Sequence, residues 1–354
     1  MASRRSFLTG LMATGLVPRQ TWAEVGNPAY LSAGMTRDGA YVLCGLGADG
    51  RLAFTRSLPA RGHAAAAHPS RAEVVAFARR PGTFAIVLDC VSGLELARLV
   101  APEGRHFYGH GAFSADGRLL FTTENEFDAA RGIVGVWDAA RAYRRIGEFP
   151  SGGTGPHDIK LMPDGATLVV ANGGIETHPE TGRAKLNLPS MRSRLSFLRL
   201  DGAVVDQVAL DGAYRKNSIR HLAVTDEGVV AFAAQWQGDV TDAVPLLGTF
   251  KPGVDAAPQL ARAPVFREAQ AYLGSIAAHR SAIAVTSPRG GLVLEFDARS
   301  LALTEKQVIE DVCGIAPMSG GFICTSGTGR VLSGPVRRAE TQHDMRWDNH
   351  LIAL

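Results

Sequence analysis

The chain lacks most of the features that announce a chemistry. It carries four cysteines in 354 residues, Cys44, Cys90, Cys313 and Cys324, with no CxxC pair. That excludes a disulfide scaffold and gives no support to a cysteine-rich structural zinc site. Cys313 and Cys324 flank an expected hairpin turn at residues 319–321, so a bridge and two buried thiols are both open readings. The net charge is only +3, aromatics make up 7%, and the aromatics are not interleaved with Lys and Arg, so nothing favours a nucleic acid as partner. No uninterrupted apolar run reaches the roughly 20 residues that a spanning helix needs, and no membrane span is expected in the mature chain. A GxSxG elbow, an HExxH pair, a Walker loop and a GxGxxG after a strand are all missing. The Gly-rich string "GGTGPHD" leads into a strand and so offers no helix N-terminus to a phosphate.

Helical periodicity is almost absent too, and short β-rich runs take its place. They alternate with Asp-Gly, Pro-Gly and Gly-Gly turns along the whole chain. One stretch shows the unit: "GHGAFS", a turn at "ADG", "RLLFTTENE", a loop, "GIVGVWDAA" and "YRRIGEF", which reads as four strands. Similar segments open on His63, His110, His157, His221 and His350, with Ser275 and Gly314 at the same place in two more. The spacings centre on the roughly 40 to 50 residues of one propeller blade. Seven phased segments predict an all-β, seven-bladed β-propeller. Only three strands precede His63, so the C-terminal "WDNHLIAL" is expected to supply the fourth strand of the N-terminal blade and close the ring.

The N-terminus has Arg4 and Arg5 followed by Phe7, Leu8, a weakly apolar stretch and a small-residue end at Ala23. It resembles a twin-arginine signal peptide covering residues 1–23, which leaves residues 24–354 as one propeller exported to the periplasm.

Equivalent positions of a circular repeat lie around one axis, so residues distant in sequence can face a common point. Placed at the first residue of each inner strand, His63, His110, His157, His221 and His350 would ring the mouth of the central channel. Imidazole is the commonest transition-metal ligand, and an all-histidine rim suits iron, copper, zinc or nickel better than calcium or magnesium. The structural alternative is that each histidine caps its blade by bonding to a neighbour. Long connections, residues 172–192 and 235–243, should emerge on the same face. Around them, His106, His178, Arg61, Arg220, Arg289, Glu124, Asn125, Asn172 and Gln235 form a candidate polar funnel for a ligand. Glu124 and Glu126, two apart on a strand, would be the acid and base of a hydrolase. His68, His279 and His343 fall at strand ends or in the tail and are expected at the solvated surface.

The strings "RGHAAAAHP", "GRHFYGHGAFSADGRLLFTTENE", "RGIVGVWDA", "GTGPHDIKLMPDGATLVVANGGIETHPETGR", "SIRHLAV" and "WDNHL" resemble a family of twin-arginine-exported periplasmic propeller proteins of Gram-negative bacteria, a domain of unknown function. The resemblance covers nearly all of the mature chain. It implies the fold and the compartment. Because such proteins tend to be encoded beside imelysin-like and di-haem peroxidase-like proteins, it also implies iron or other metal handling, with iron or copper as the cofactor. A looser likeness, to the histidine-lined seven-bladed hub of nitrous oxide reductase, is one of architecture alone. Three readings follow: a periplasmic metal-binding propeller, a docking platform for a peroxidase-like or imelysin-like partner, and a lactonase-like hydrolase. Whether the protein is an enzyme stays open at this point.

Overall fold

The strand runs pair into seven antiparallel four-stranded sheets. The structure, a computed structural model, describes residues 20–79, 83–182, 184–210, 212–262, 264–334 and 339–354. The twin-arginine motif lies outside the described residues. Blade 1 combines Met345–Ala353 as its inner strand with Tyr30–Thr36, Tyr41–Leu46 and Leu52–Ser57. The ring is therefore closed by the C-terminal strand, as the sequence predicts. The inner strands of blades 2 to 7 are Gly62–Ala67, Arg105–Phe113, Pro156–Leu161, Asn217–Val224, Ser275–His279 and Val312–Met318. Each sheet meanders outward from these. No helix of the described residues is long and apolar enough to cross a membrane.

Composition changes with distance from the axis. Inner strands such as "GHAAAA" and "SIAAH" are built from small residues, because seven of them must converge on one hub. Second and third strands are aliphatic and buried on both faces, as in "TLVVAN" and "LVLEFD". Outermost strands such as "LTEKQV" alternate more and less exposed positions, the period-2 pattern of an edge facing water.

The described core divides into seven apolar clusters, one at each interface between neighbouring blades. Phe77, Phe121, Phe197, Phe232, Phe296 and Phe322 are fully buried in them. The cluster that joins blades 7 and 1 pairs Ala316, Ile323 and Val331 with Tyr30, Val42, Trp347 and Leu351. Turns follow the Asp-Gly chemistry: Asp116 Oδ1 accepts from Arg118 N at 3.0 Å and Gly117 takes φ of 70°.

Cys313 and Cys324 are both buried thiols outside any disulfide, as are Cys44 and Cys90. Of the two open readings, the thiol pair is the one found. His68 is a correction: it is buried, with Nε2 against the Gly117 carbonyl at 3.1 Å and Nδ1 accepting from Ser70 N and Arg71 N. His343 likewise meets the Gly50 carbonyl at 2.8 Å and is not solvated freely.

Candidate metal centre

None of the five hub histidines opens its strand. His63 and His157 are second residues, His221 is fifth, and His110 and His350 are sixth, because the inner strands of blades 1, 3 and 5 start earlier than the repeat suggests. In all five blades the pairing of the inner strand slips at the histidine. The shifts fall at Gly62/Ala65, Phe107/Gly111, Pro156/Asp158 and Ile219/His221, and opposite Trp347 to Leu351 in blade 1. A bulge re-aims side chains that a regular pleat would send elsewhere. Here it turns the imidazoles inward. Gly109, at φ of 99°, makes the turn before His110, and a Cβ there would stand 2.6 Å from His63 Cδ2.

The rings consequently meet one another at the hub. His110, His221 and His350 are buried, while His63 and His157 are partly so. His110 lies within 6.0 Å, centroid to centroid, of the other four: 5.0 Å to His63, 4.9 Å to His157, 6.0 Å to His221 and 4.8 Å to His350. Two groups of three share it, His63/His110/His350 and His110/His157/His221, and within each group one nitrogen per ring lies within 4.8 Å of the others. Metal–nitrogen bonds of roughly 2.0–2.1 Å hold two ligands no more than about 4 Å apart. Either group would need to contract by under an ångström. Blades 6 and 7 contribute no ring. Ser275 stands at the position in one, and at Gly314 in the other a Cβ would come within 2.6 Å of Leu351 N.

The polar shell fixes how the rings face. Asp158, buried, receives Leu222 N at 2.9 Å on one oxygen and stands 3.2 Å from His110 Nδ1 with the other. Burial pushes its pKa up, but Lys160 at 3.6 Å and the adjacent His110 more than offset this and hold the carboxyl below its ordinary value. An ionised Asp158 makes Nδ1 the protonated nitrogen of His110 and leaves Nε2 with the lone pair. His157 Nδ1 donates to the Arg220 carbonyl at 2.9 Å, so its lone pair is on Nε2 as well. The structural alternative is thus half met: two of the five rings bond to the next blade through one nitrogen. Yet His63 Nδ1, His110 Nε2, His221 Nδ1 and His350 Nε2 are buried and have no hydrogen-bond partner among the described residues. Burial, followed by neighbouring rings and cations, drives His63, His157 and His350 well below the usual imidazole pKa and His221 to about 3. These four rings are neutral at neutral pH, the form that binds metal.

A cavity of about 230 Å³ opens above this cluster, with His63, His157 and His221 in its floor. Its walls are Arg79, Tyr108, Ile175, Thr177, Lys185, Arg220, Gln235, Tyr272 and Asn349. Of the funnel residues, Arg220 and Gln235 reach the cavity and Arg289 stands 4.5 Å over the Tyr272 ring. The others do structural work. Arg61 pairs with Asp348 at 2.5 Å, beside a second cavity. Asn172 bonds Ser151 and Ser196. Asn125 donates to the Thr177 carbonyl at 3.0 Å and so pins the roof loop. His106 stacks on Phe127, and His178 meets Asp128 at 3.2 Å on the outer side of that loop. Glu124 has both oxygens on Arg145, at 2.7 and 3.0 Å, and Glu126 is held by Arg105 and Arg131, so neither carboxylate lines the cavity as an acid or base. Sequence reasoning passed over Asp158, Tyr108, Lys185, Tyr272 and Asn349. For Asp158 the residue order carries no signal, since only the bulge at Pro156/Asp158 lets two consecutive residues serve one hub.

Comparison with known proteins agrees with the fold. Among solved structures, Kuenenia stuttgartiensis hydrazine synthase superposes with a TM-score of 0.61 at 14% identity, covering 85% of this chain and 92% of that one. The β-propeller domain of Cps50 (Swd1) from Myceliophteria thermophila superposes at 0.58 with 13% identity, covering 87% and 91%. At such identities the likeness is one of fold alone. No curated protein matches the sequence. Residues 56–354, which hold all five hub histidines, match the family described as "Protein of unknown function (DUF1513)", and the chain belongs to that family.

Proposed function

We propose that the protein binds a transition-metal ion at the hub histidines, with His110 as the shared ligand, and serves copper or iron handling in the periplasm. The observation that carries this reading is the set of four buried imidazole nitrogens with no partner among the described residues. A buried polar atom without a hydrogen bond costs about 1–3 kcal/mol, and four on the neighbouring rings of one hub are a heavy penalty for a purely structural role. A metal ion held by either group of three would relieve part of it. Imidazoles with no carboxylate among them suit copper ahead of ferrous iron on the affinity order of divalent ions. Iron handling draws its support from the resemblance to exported propellers encoded beside iron-uptake proteins, and the compartment from the twin-arginine sequence. When bound, the ion would supply redox or Lewis-acid chemistry beneath the cavity floor. This chain's residues would hold it, set the tautomers through Asp158 and the Arg220 carbonyl, and keep bulk water from the rings.

The test is the metal content of protein exported and purified from cells, compared with the variant carrying His110→Ala, His157→Ala and His221→Ala. The native protein should carry about one equivalent of copper or iron and the variant almost none, with an unchanged β-sheet circular dichroism spectrum. Equal metal content in both would overturn the reading.

A further inference from the structure

We propose that the cavity over the histidines binds a small oxyanion, a di- or tricarboxylate or inorganic phosphate, as the companion of the metal ion. The floor supplies neutral donors only, so a divalent ion would keep its full charge. The walls add more of the same sign. Arg79, Lys185 and Arg220 line the cavity, Arg289 stands over Tyr272, and no carboxylate lies among the described lining residues. Asp348, the carboxylate behind them, is spent: Arg61 takes one oxygen at 2.5 Å and Arg79 the other at 2.8 Å. Asp158 answers to Lys160 and His110. Lys185 reaches Gln237 Oε1 at 2.5 Å, an amide and not an acid. Burial, then the nearby Arg220 and Arg289 cations, disfavour its charged form, as expected where like charges crowd.

Cations gathered in a concave site with low-dielectric walls attract anions and exclude cationic solutes. Guanidinium groups match the fork of a carboxylate or phosphate, and Tyr108 and Tyr272 add hydroxyl groups at the same walls. Size narrows the class. At about 230 Å³ the cavity falls below the roughly 300–1,000 Å³ of pockets that enclose drug-sized molecules, so a small polyanion is the fitting occupant. The inference rests on the metal reading only for the anion's second role, to balance the charge of the ion below and offer it an oxygen.

Calorimetric titration of the full chain, metal-free and copper-loaded, with citrate, oxalate, inorganic phosphate and uncharged glucose tests the idea. One or more anions should bind saturably and glucose should not, and copper should tighten binding at least tenfold. The pattern across citrate, oxalate and phosphate separates carboxylate from phosphate ligands. The double variant Lys185→Gln, Arg220→Gln should weaken the anion at least tenfold, and Lys185→Gln alone, whose side chain reaches Gln237 and none of the hub histidines, should weaken it with copper content unchanged. Arg299→Gln, an exposed turn cation, should do nothing. Absence of anion binding in both forms, or equal affinity in the double variant, would overturn the inference while leaving the metal reading intact. Anion binding that depends on Lys185 and Arg220 in a protein that takes up no copper would leave the oxyanion site standing and remove the metal.

Discussion

His110 belongs to both groups of three, and Asp158 decides which of its nitrogens faces them. The two residues therefore make different predictions. His110→Ala should abolish metal binding, since neither group survives, whereas His157→Ala should leave the His63/His110/His350 group and a weaker site. Asp158→Asn keeps every ligand but loses the orienting carboxylate, and losses of this kind reduce affinity roughly 10–100-fold. Competition against a chelator of known affinity measures all three, and an Asp158→Asn protein that binds as tightly as the native one would contradict the assigned tautomer. The neutral rings also tie stability to pH. Unfolded histidines take up protons near pH 6.5, while His221 resists until about pH 3 and His63, His157 and His350 lie well below 6.5 in the fold. Between those values the unfolded chain binds more protons, so the metal-free protein should lose stability as pH falls from 7 towards 4. Melting temperatures across that range should drop steadily, and His221→Gln should flatten the slope. The identity of these five residues was legible in the sequence because the repeat put them in phase. Asp158 was not, since its role depends on a bulge that residue order alone does not display.

At the scale of the strand and loop, the sequence gets the number of strands right and their limits wrong. Alternation of apolar runs and turns is a local property, so the four-strand unit reads directly from "RLLFTTENE" and "GIVGVWDAA". The lead-in residues Arg105 to Phe107 and Met345 to Trp347 keep pairing on the far side of the bulge, with Glu124 to Glu126 and with Gly34 to Thr36, and the histidine therefore looks like a strand start when it is a strand interior. The same limit applies to Asn125 and Glu124, polar residues that resemble site groups and are anchors. Asn125 and Tyr108 both reach Thr177 in the roof loop, and Asn187 bridges it by accepting from Glu176 N at 2.8 Å and donating to Gly174 O at 2.9 Å. Asn187→Ala removes two bonds worth about 1 kcal/mol each. Hydrogen exchange across residues 174–187 should quicken at least several-fold while the inner strands stay as protected as before. Unchanged exchange there would mean the loop is held by other contacts.

The ring as a whole depends on its two ends meeting. Met345–Ala353 is the inner strand of blade 1, pairs with Tyr30–Thr36, and carries Trp347 and Leu351 into the cluster that seals blade 1 against blade 7. It also carries Asp348, the partner of Arg61 and Arg79, and His350 of the hub. Deleting residues 347–354 would strip the hub side of Tyr30–Thr36 and break the seal between blades 7 and 1, opening an edge that closed rings avoid. A linear array frays from its end and leaves the remaining repeats folded. A closed ring cannot, because every blade is flanked on both sides and the opened interface unbalances all of them. The truncated protein should therefore lose its single cooperative melting transition or melt well below the native protein, with a greater tendency to aggregate, while removal of exposed Leu354 alone should shift the midpoint little. A truncated chain that melts cooperatively near the native temperature would show that the six remaining blades hold without closure. In that case the convergence of imidazoles from five blades could not depend on a sealed ring.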